Sequence, residues 1–158
     1  MPISREQLRL TPAELDALMD AAKTLHAGTV SPKGMPHVAP LWFVWRDGEI
    51  WINSLRRSRR GRDLTAGSPV SLCVDAGDEY GELRGAVLYG AFTDASQDPA
   101  LPEILREFSR RYWGGIEVPQ MKSHDWLRMK PERIVSWDFR KIPKGRDKRL
   151  EASKPDKE

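Results

Sequence analysis

A chain of 158 residues with a hydrophobic fraction of 39% is long enough for one domain with its own core. Its 26 basic and 23 acidic side chains leave a net charge of only +3, which argues against the charge field of a nucleic-acid-binding protein. The single cysteine, Cys73, excludes an intrachain disulfide and fits a reducing compartment. No apolar run reaches membrane-spanning length and the first residues lack the apolar core of a secretion signal, so the expected location is the cytoplasm.

In chain order, Thr11-Pro12-Ala13-Glu14 is a capping box with proline at the first helical position, and Leu15, Leu18, Met19, Ala22 and Leu25 follow at helical spacing. A helix is expected from Pro12 to about Thr24. His26 to Val30 reads as a strand, turned by Ser31-Pro32-Lys33-Gly34 into a second, His37 to Trp45. That second strand is apolar on both faces, with Val38, Pro40, Trp42 and Val44 alternating against Ala39, Leu41, Phe43 and Trp45, which predicts burial on both sides. Asp47-Gly48 tolerates positive φ and closes a hairpin with Glu49 to Ser54.

Further strands are expected at Val70 to Asp75 and at Arg84 to Thr93, the latter interrupted by Gly90, where another group could approach closely. Ile104, Leu105, Phe108 and Tyr112 recur at helical spacing over Leu101 to Tyr112, and Trp113-Gly114-Gly115 ends that helix. Met121 to Met129 reads as a brief helix with Trp126 and Leu127 on its buried side. Arg133 to Lys141 alternates as the last strand. From residue 144 onward the composition is polar and charged, which predicts a disordered tail after a domain spanning residues 1–143. Many strands, punctuating turns and few helices favour a small closed β-barrel.

Between the hairpin and the strand at Val70 lies Leu55-Arg56-Arg57-Ser58-Arg59-Arg60-Gly61-Arg62. Guanidinium forks, a serine hydroxyl and amides at a helix start suit a phosphate dianion; the bland alternative is a solvated basic surface. The hairpin before this stretch and the short helix after it fix where its arginines point, and so favour the phosphate. Arg56, Arg57 and Arg62 are left over as surface residues or as contacts for further negative charge.

The order of a strand ending in Ser54, then Ser58-Arg59-Arg60-Gly61, Leu64, Pro69 and a new strand resembles the pyridoxamine-5'-phosphate oxidase-like split β-barrels. Gly90-Ala91 and Trp137-Asp138 extend the likeness over about Thr24 to Lys141. Arg60 stands where that family commonly has lysine, and the chain lacks the vitamin-phosphate contacts of the oxidase's C-terminal segment. The resemblance implies a mainly β, FMN-binding type split barrel with a few helices, working as a homodimer with a flavin-type cofactor between subunits. It further implies phosphate contacts from Ser54, Ser58, Arg59 and Arg60, and ring contacts from Pro40 and Trp42. The cofactor is FMN or the deazaflavin coenzyme F-420, between which the residues do not choose, and the substrate is a small organic molecule. Trp42, Trp45 and Trp51 are candidates for a dimer interface.

His26, His37 and His124 share no metal-ligand spacing, and no P-loop, Cys-x-x-Cys or Ser-His-Asp set is present. That pattern fits a cofactor oxidoreductase in which the ring does the redox chemistry. It leaves open a haem-binding member of the same fold, with His37 or His124 as axial ligand, and a non-enzymatic binding module.

Overall fold

A computed structural model describes residues 3–65 and 67–143; the tail expected from residue 144 lies outside the described residues. The chain opens with a 3-10 turn at Glu6–Leu8 and helix α1, Pro12–Ala21. The capping box forms as expected: Thr11 Oγ1 accepts from the Glu14 amide, and Glu14 Oε2 accepts from the Thr11 amide at 2.7 Å. Leu18 and Met19 are its buried residues. The helix stops at Ala21, short of Thr24, where the backbone turns extended at Ala22.

Among the described residues nine strands form two antiparallel sheets: β1 (Leu25–Val30), β2 (Pro36–Leu41), β3 (Val44–Arg46), β4 (Glu49–Leu55), β5 (Val70–Ala76), β6 (Arg84–Gly90), β7 (Thr93–Asp94), β8 (His124–Met129) and β9 (Arg133–Asp138). The larger sheet runs β2-β1-β5-β6-β9 and the smaller β3-β4-β8-β7. Asp47 and Gly48 adopt φ of 51° and 77°, the left-handed pair that a two-residue hairpin needs, and set the register Arg46↔Glu49.

The strand expected at His37 to Trp45 is not continuous. It breaks at Trp42-Phe43, so that β2 lies at the edge of one sheet and β3 at the edge of the other. Nor is it buried twice: Val38 is 66% and Trp42 48% exposed, because nothing among the described residues covers the outer face of β2. The Arg84 to Thr93 run also divides, into β6 and β7, at a second passage between the sheets. At these corners Phe43 and Phe92 turn inward and are almost fully buried.

One core lies between the sheets, built by Leu25, Leu41, Ile52, Leu72, Leu88 and Leu127 among others, with α1 closing it. A second cluster covers the outer face of the smaller sheet, where Leu101, Ile104 and Phe108 of α3 (Leu101–Tyr112) pack on Val44, Trp51 and Trp126. The smaller sheet is therefore covered on both faces. That corrects the helix expected at Met121 to Met129: residues 124–129 are strand β8, and Trp126 and Leu127 are both buried because they point into different clusters. β9 ends at Asp138, and Phe139–Lys141 form a 3-10 turn. No helix among the described residues is long and apolar enough to cross a membrane.

Candidate functional site

The arginine-rich stretch is a helix rather than a loop from Arg59 onward. Ser58 Oγ donates to the Leu55 carbonyl at 2.8 Å and accepts from the Gly61 amide at 2.9 Å, which caps the start of α2, Arg59–Thr65. A Cβ on Gly61 would stand 2.1 Å from the Leu55 carbonyl oxygen, so only glycine lets α2 lie so close against the end of β4. Within Ser58-Arg59-Arg60-Gly61, the serine and the glycine thus build the turn that aims the two arginines.

The arginines diverge. Arg60 lines a pocket of about 390 Å³, together with Pro40 and Trp42. Arg59 lines a different cavity, with Lys33, Arg62 and Asp63. Arg56 is engaged elsewhere: its Nε donates to both carboxylate oxygens of Asp125, and its Nη1 donates to the Lys122 carbonyl. Its guanidinium is held more firmly protonated by the Asp125 carboxylate. The Arg56 amide donates to the Ser123 carbonyl at 2.9 Å, which prolongs the β4–β8 pairing past Leu55↔His124, and the ion pair crosses back to the partner of Ser54.

The Arg60 pocket has an apolar wall of Pro40, Trp42, Phe108, Trp113, Val118 and Met121, and a polar side of Thr24, Asn53, Arg60 and His124. Trp42 stacks on Tyr112 with ring centroids 4.7 Å apart and planes 10° apart, and Phe108 meets Trp126 edge-on. At the polar side, Arg60 Nε is buried with no hydrogen-bond partner among the described residues. Burial lowers the pKa of this guanidinium, yet a guanidinium stays charged, so the site holds a partly desolvated cation with an unused donor. Leaving such a donor unmet costs about 1–3 kcal/mol. An anionic group in the pocket would offset the charge of this guanidinium.

Of the six residues singled out from the sequence, Pro40, Trp42 and Arg60 come together here, while Arg59 and Ser58 lie outside this pocket. Ser54 is 1% exposed and shares the face of β4 that carries Ile50 and Ile52 into the main core. Its Oγ is buried without a hydrogen-bond partner among the described residues. Asn53, on the opposite face, is the β4 residue that lines the pocket. Strand alternation was the signal that could have found it. From the sequence Phe108 fits a helix core, Trp113 a helix end, and Thr24 and Met121 helix bounds, and none of these marks a pocket residue. His124 lines the pocket with Nδ1 3.0 Å from Ser123 Oγ. His37 lies on β2.

A larger cavity of about 920 Å³ lies along α3 and is lined by Arg46, Glu103, Arg106 and Arg110. There Arg46 pairs with Glu103 and Arg110 with Glu107, so its charges are largely matched. Among the described residues no group of three His, Cys, Asp or Glu side chains is placed to hold a metal ion.

Residues 11–138 match the family model described as pyridoxamine 5'-phosphate oxidase. The chain belongs to that family. Among solved structures, the conserved hypothetical protein Rv2991 from Mycobacterium tuberculosis superimposes with a TM-score of 0.77 at 26% identity, covering 89% of this chain and 92% of that one. The haem storage protein HutZ from Vibrio cholerae gives 0.64 at 18% identity, covering 79% and 94%. An F-420 reductase gives 0.60 at 20% identity, covering 78% and 98%. The latter two likenesses carry the fold alone, a mainly β split barrel with helices. No curated protein matches the chain. Other solved structures that share the fold include FAD-binding proteins from Mesorhizobium loti and Mycobacterium smegmatis, at 16% and 15% identity.

Proposed function

We propose that this protein is an oxidoreductase that holds FMN or the deazaflavin coenzyme F-420 in the Arg60 pocket and exchanges a hydride or electron pair with a small organic substrate. The observation that carries this reading is the pairing, within one pocket, of a partly desolvated guanidinium with an unused donor and an aromatic wall containing Trp42, Phe108 and Trp113. One end suits a phosphate oxygen and the other a flat ring. A mononucleotide flavin joins those two chemistries in one molecule.

The residues present fit such a group. Arg60 would meet the phosphate, with Asn53 beside it, and Pro40 and Trp42 would border the ring. Arg59 is assigned to the neighbouring cavity, where Lys33 and Arg62 would add charge for a longer anionic tail. When bound, the ring supplies the redox chemistry; the chain binds it, orients it and limits access of water.

A second copy of the chain completes the site in this reading. Val30, Val38 and Trp42 are exposed apolar residues on or beside the β1–β2 edge, and a patch of this kind on a monomer marks an interaction surface. The homodimer would cover β2 and close the pocket mouth. The single cysteine suits a reducing cytoplasm.

One observation favours a second reading. His124 lines the same pocket, and with Nδ1 beside Ser123 Oγ its Nε2 is the nitrogen left for an axial iron bond. The absorption spectrum of protein purified without added ligand, repeated after incubation with FMN, coenzyme F-420 or haem and removal of excess, separates the readings. A retained flavin or deazaflavin band is the expected result. A Soret band with neither of those retained would replace this reading with haem binding, and no retained chromophore would leave a non-enzymatic binding module.

A further inference from the structure

The break between β2 and β3 is held by a side chain from the far end of α3. Tyr112 Oη accepts from the Phe43 amide at 3.1 Å and lies 2.8 Å from the Phe43 carbonyl and 3.0 Å from the Lys23 carbonyl, to one of which it donates. Phe43 is the corner residue and belongs to neither strand. The same tyrosine ring covers one face of Trp42, and Phe108 supports that indole from its edge with centroids 6.0 Å apart at 61°. Trp42 nevertheless stays 48% exposed, so the exposed part is the face turned away from Tyr112.

We propose that Tyr112 is a positioning residue that presents the outer face of Trp42 as a stacking platform for the planar ring of the bound cofactor, an inference that rests on the reading of the pocket given above. Two constraints meet in one side chain. The hydroxyl fixes the backbone at the residue after Trp42, and the ring fixes the plane of the indole. Without the hydroxyl the corner can shift, and a stacked ligand requires the plane to be in place before it arrives.

The test is a binding cycle on wild-type protein, Tyr112→Phe, Trp42→Leu and the double variant, titrated with FMN and riboflavin and with coenzyme F-420 and its phosphate-free deazaflavin chromophore. Tyr112→Phe keeps the stack and removes only the hydroxyl. It is expected to raise Kd by about 5-fold, by the same factor with and without the phosphate. Trp42→Leu is expected to raise it by about 10-fold, and the double variant to bind no more weakly than Trp42→Leu, because Tyr112 acts through Trp42. Arg60→Ala, by contrast, should weaken only the phosphate-bearing ligands.

Wild-type affinity in Tyr112→Phe, or a double variant that multiplies the two single losses, overturns the proposal. Should Tyr112→Phe fail to fold, quenching of the bound ring's fluorescence decides: it should be lost in Trp42→Leu, and unchanged quenching there overturns the platform. A wild-type protein that binds none of the four ligands overturns the pocket reading and the platform with it, whereas binding that is indifferent to both substitutions overturns the platform alone.

Discussion

The Leu55 carbonyl occupies the space that a side chain on Gly61 would need, 2.1 Å from an ideal Cβ, with the Arg56 carbonyl 3.0 Å away. Both obstacles are backbone, so neither can swing aside. Gly61→Ala gains up to about 1 kcal/mol of helix propensity but must push α2 off the end of β4, an overpacking cost of about 1–3 kcal/mol. The expected outcome is a lower Tm together with weaker cofactor retention, read by thermal melting and by flavin fluorescence. A variant as stable as wild type with unchanged binding would show that α2 docks elsewhere.

The divergence of Arg59 and Arg60 separates their expected effects. Removing the charge-assisted bonds of Arg60 costs about 1.5–3 kcal/mol, so Arg60→Ala should weaken FMN binding by about 10- to 100-fold. Arg59→Ala should change FMN affinity by less than about 3-fold and weaken a ligand with a longer anionic tail more. Equilibrium titration of both variants with FMN and coenzyme F-420 tests this, and equal losses of FMN would put both arginines on one phosphate.

Val38 is exposed on an edge strand in the single chain. Val38→Glu places a charge in the proposed interface while touching no core residue. Light scattering should report a dimer for wild type and a monomer for the variant, with the same circular dichroism. An unchanged mass would remove β2 from the interface.

Asp138 is 2% exposed, and its carboxylate accepts from the amide, Nε and Nη2 of Arg140. The Arg140 guanidinium holds this carboxyl below its ordinary pKa. Its folded value therefore lies under its unfolded one near 3.9, so the stabilisation is complete above the unfolded pKa and is lost as pH falls through the folded one. Asp138→Asn should cost about 1–3 kcal/mol at neutral pH and flatten the acid limb of a stability curve measured from about pH 5 downward. An acid limb as steep as in wild type would assign the loss to other carboxylates.

Features written in local chemistry were legible from residues alone. Thr11 with Glu14, Asp47 with Gly48, and the helical spacing from Leu101 to Tyr112 each state a conformation within a few positions. What failed depended on which neighbours arrive from elsewhere. Trp126 and Leu127, adjacent and both buried, look like one helical face until α3 and the main core are known to lie on opposite sides of β8. Val38 looks like core because its residue type cannot tell a cover from the same chain from one supplied by a second copy. Arg59 and Arg60 look like one phosphate clamp because placing them ahead of the short helix, and not within it, hides the rotation of about 100° between consecutive helical residues.

Consecutive residues at the end of α3 tie together segments that are distant along the chain. Arg111 donates to the carbonyls of Asp20 and Ala22, 91 and 89 residues away, and Tyr112 reaches Phe43 across 69 residues. Contacts of such separation exist only once the long loops between their partners have closed. The pocket wall is therefore held by bonds that belong to the assembled fold and to no local segment. Its arginines and its aromatic residues have no fixed geometry relating them until those loops have closed.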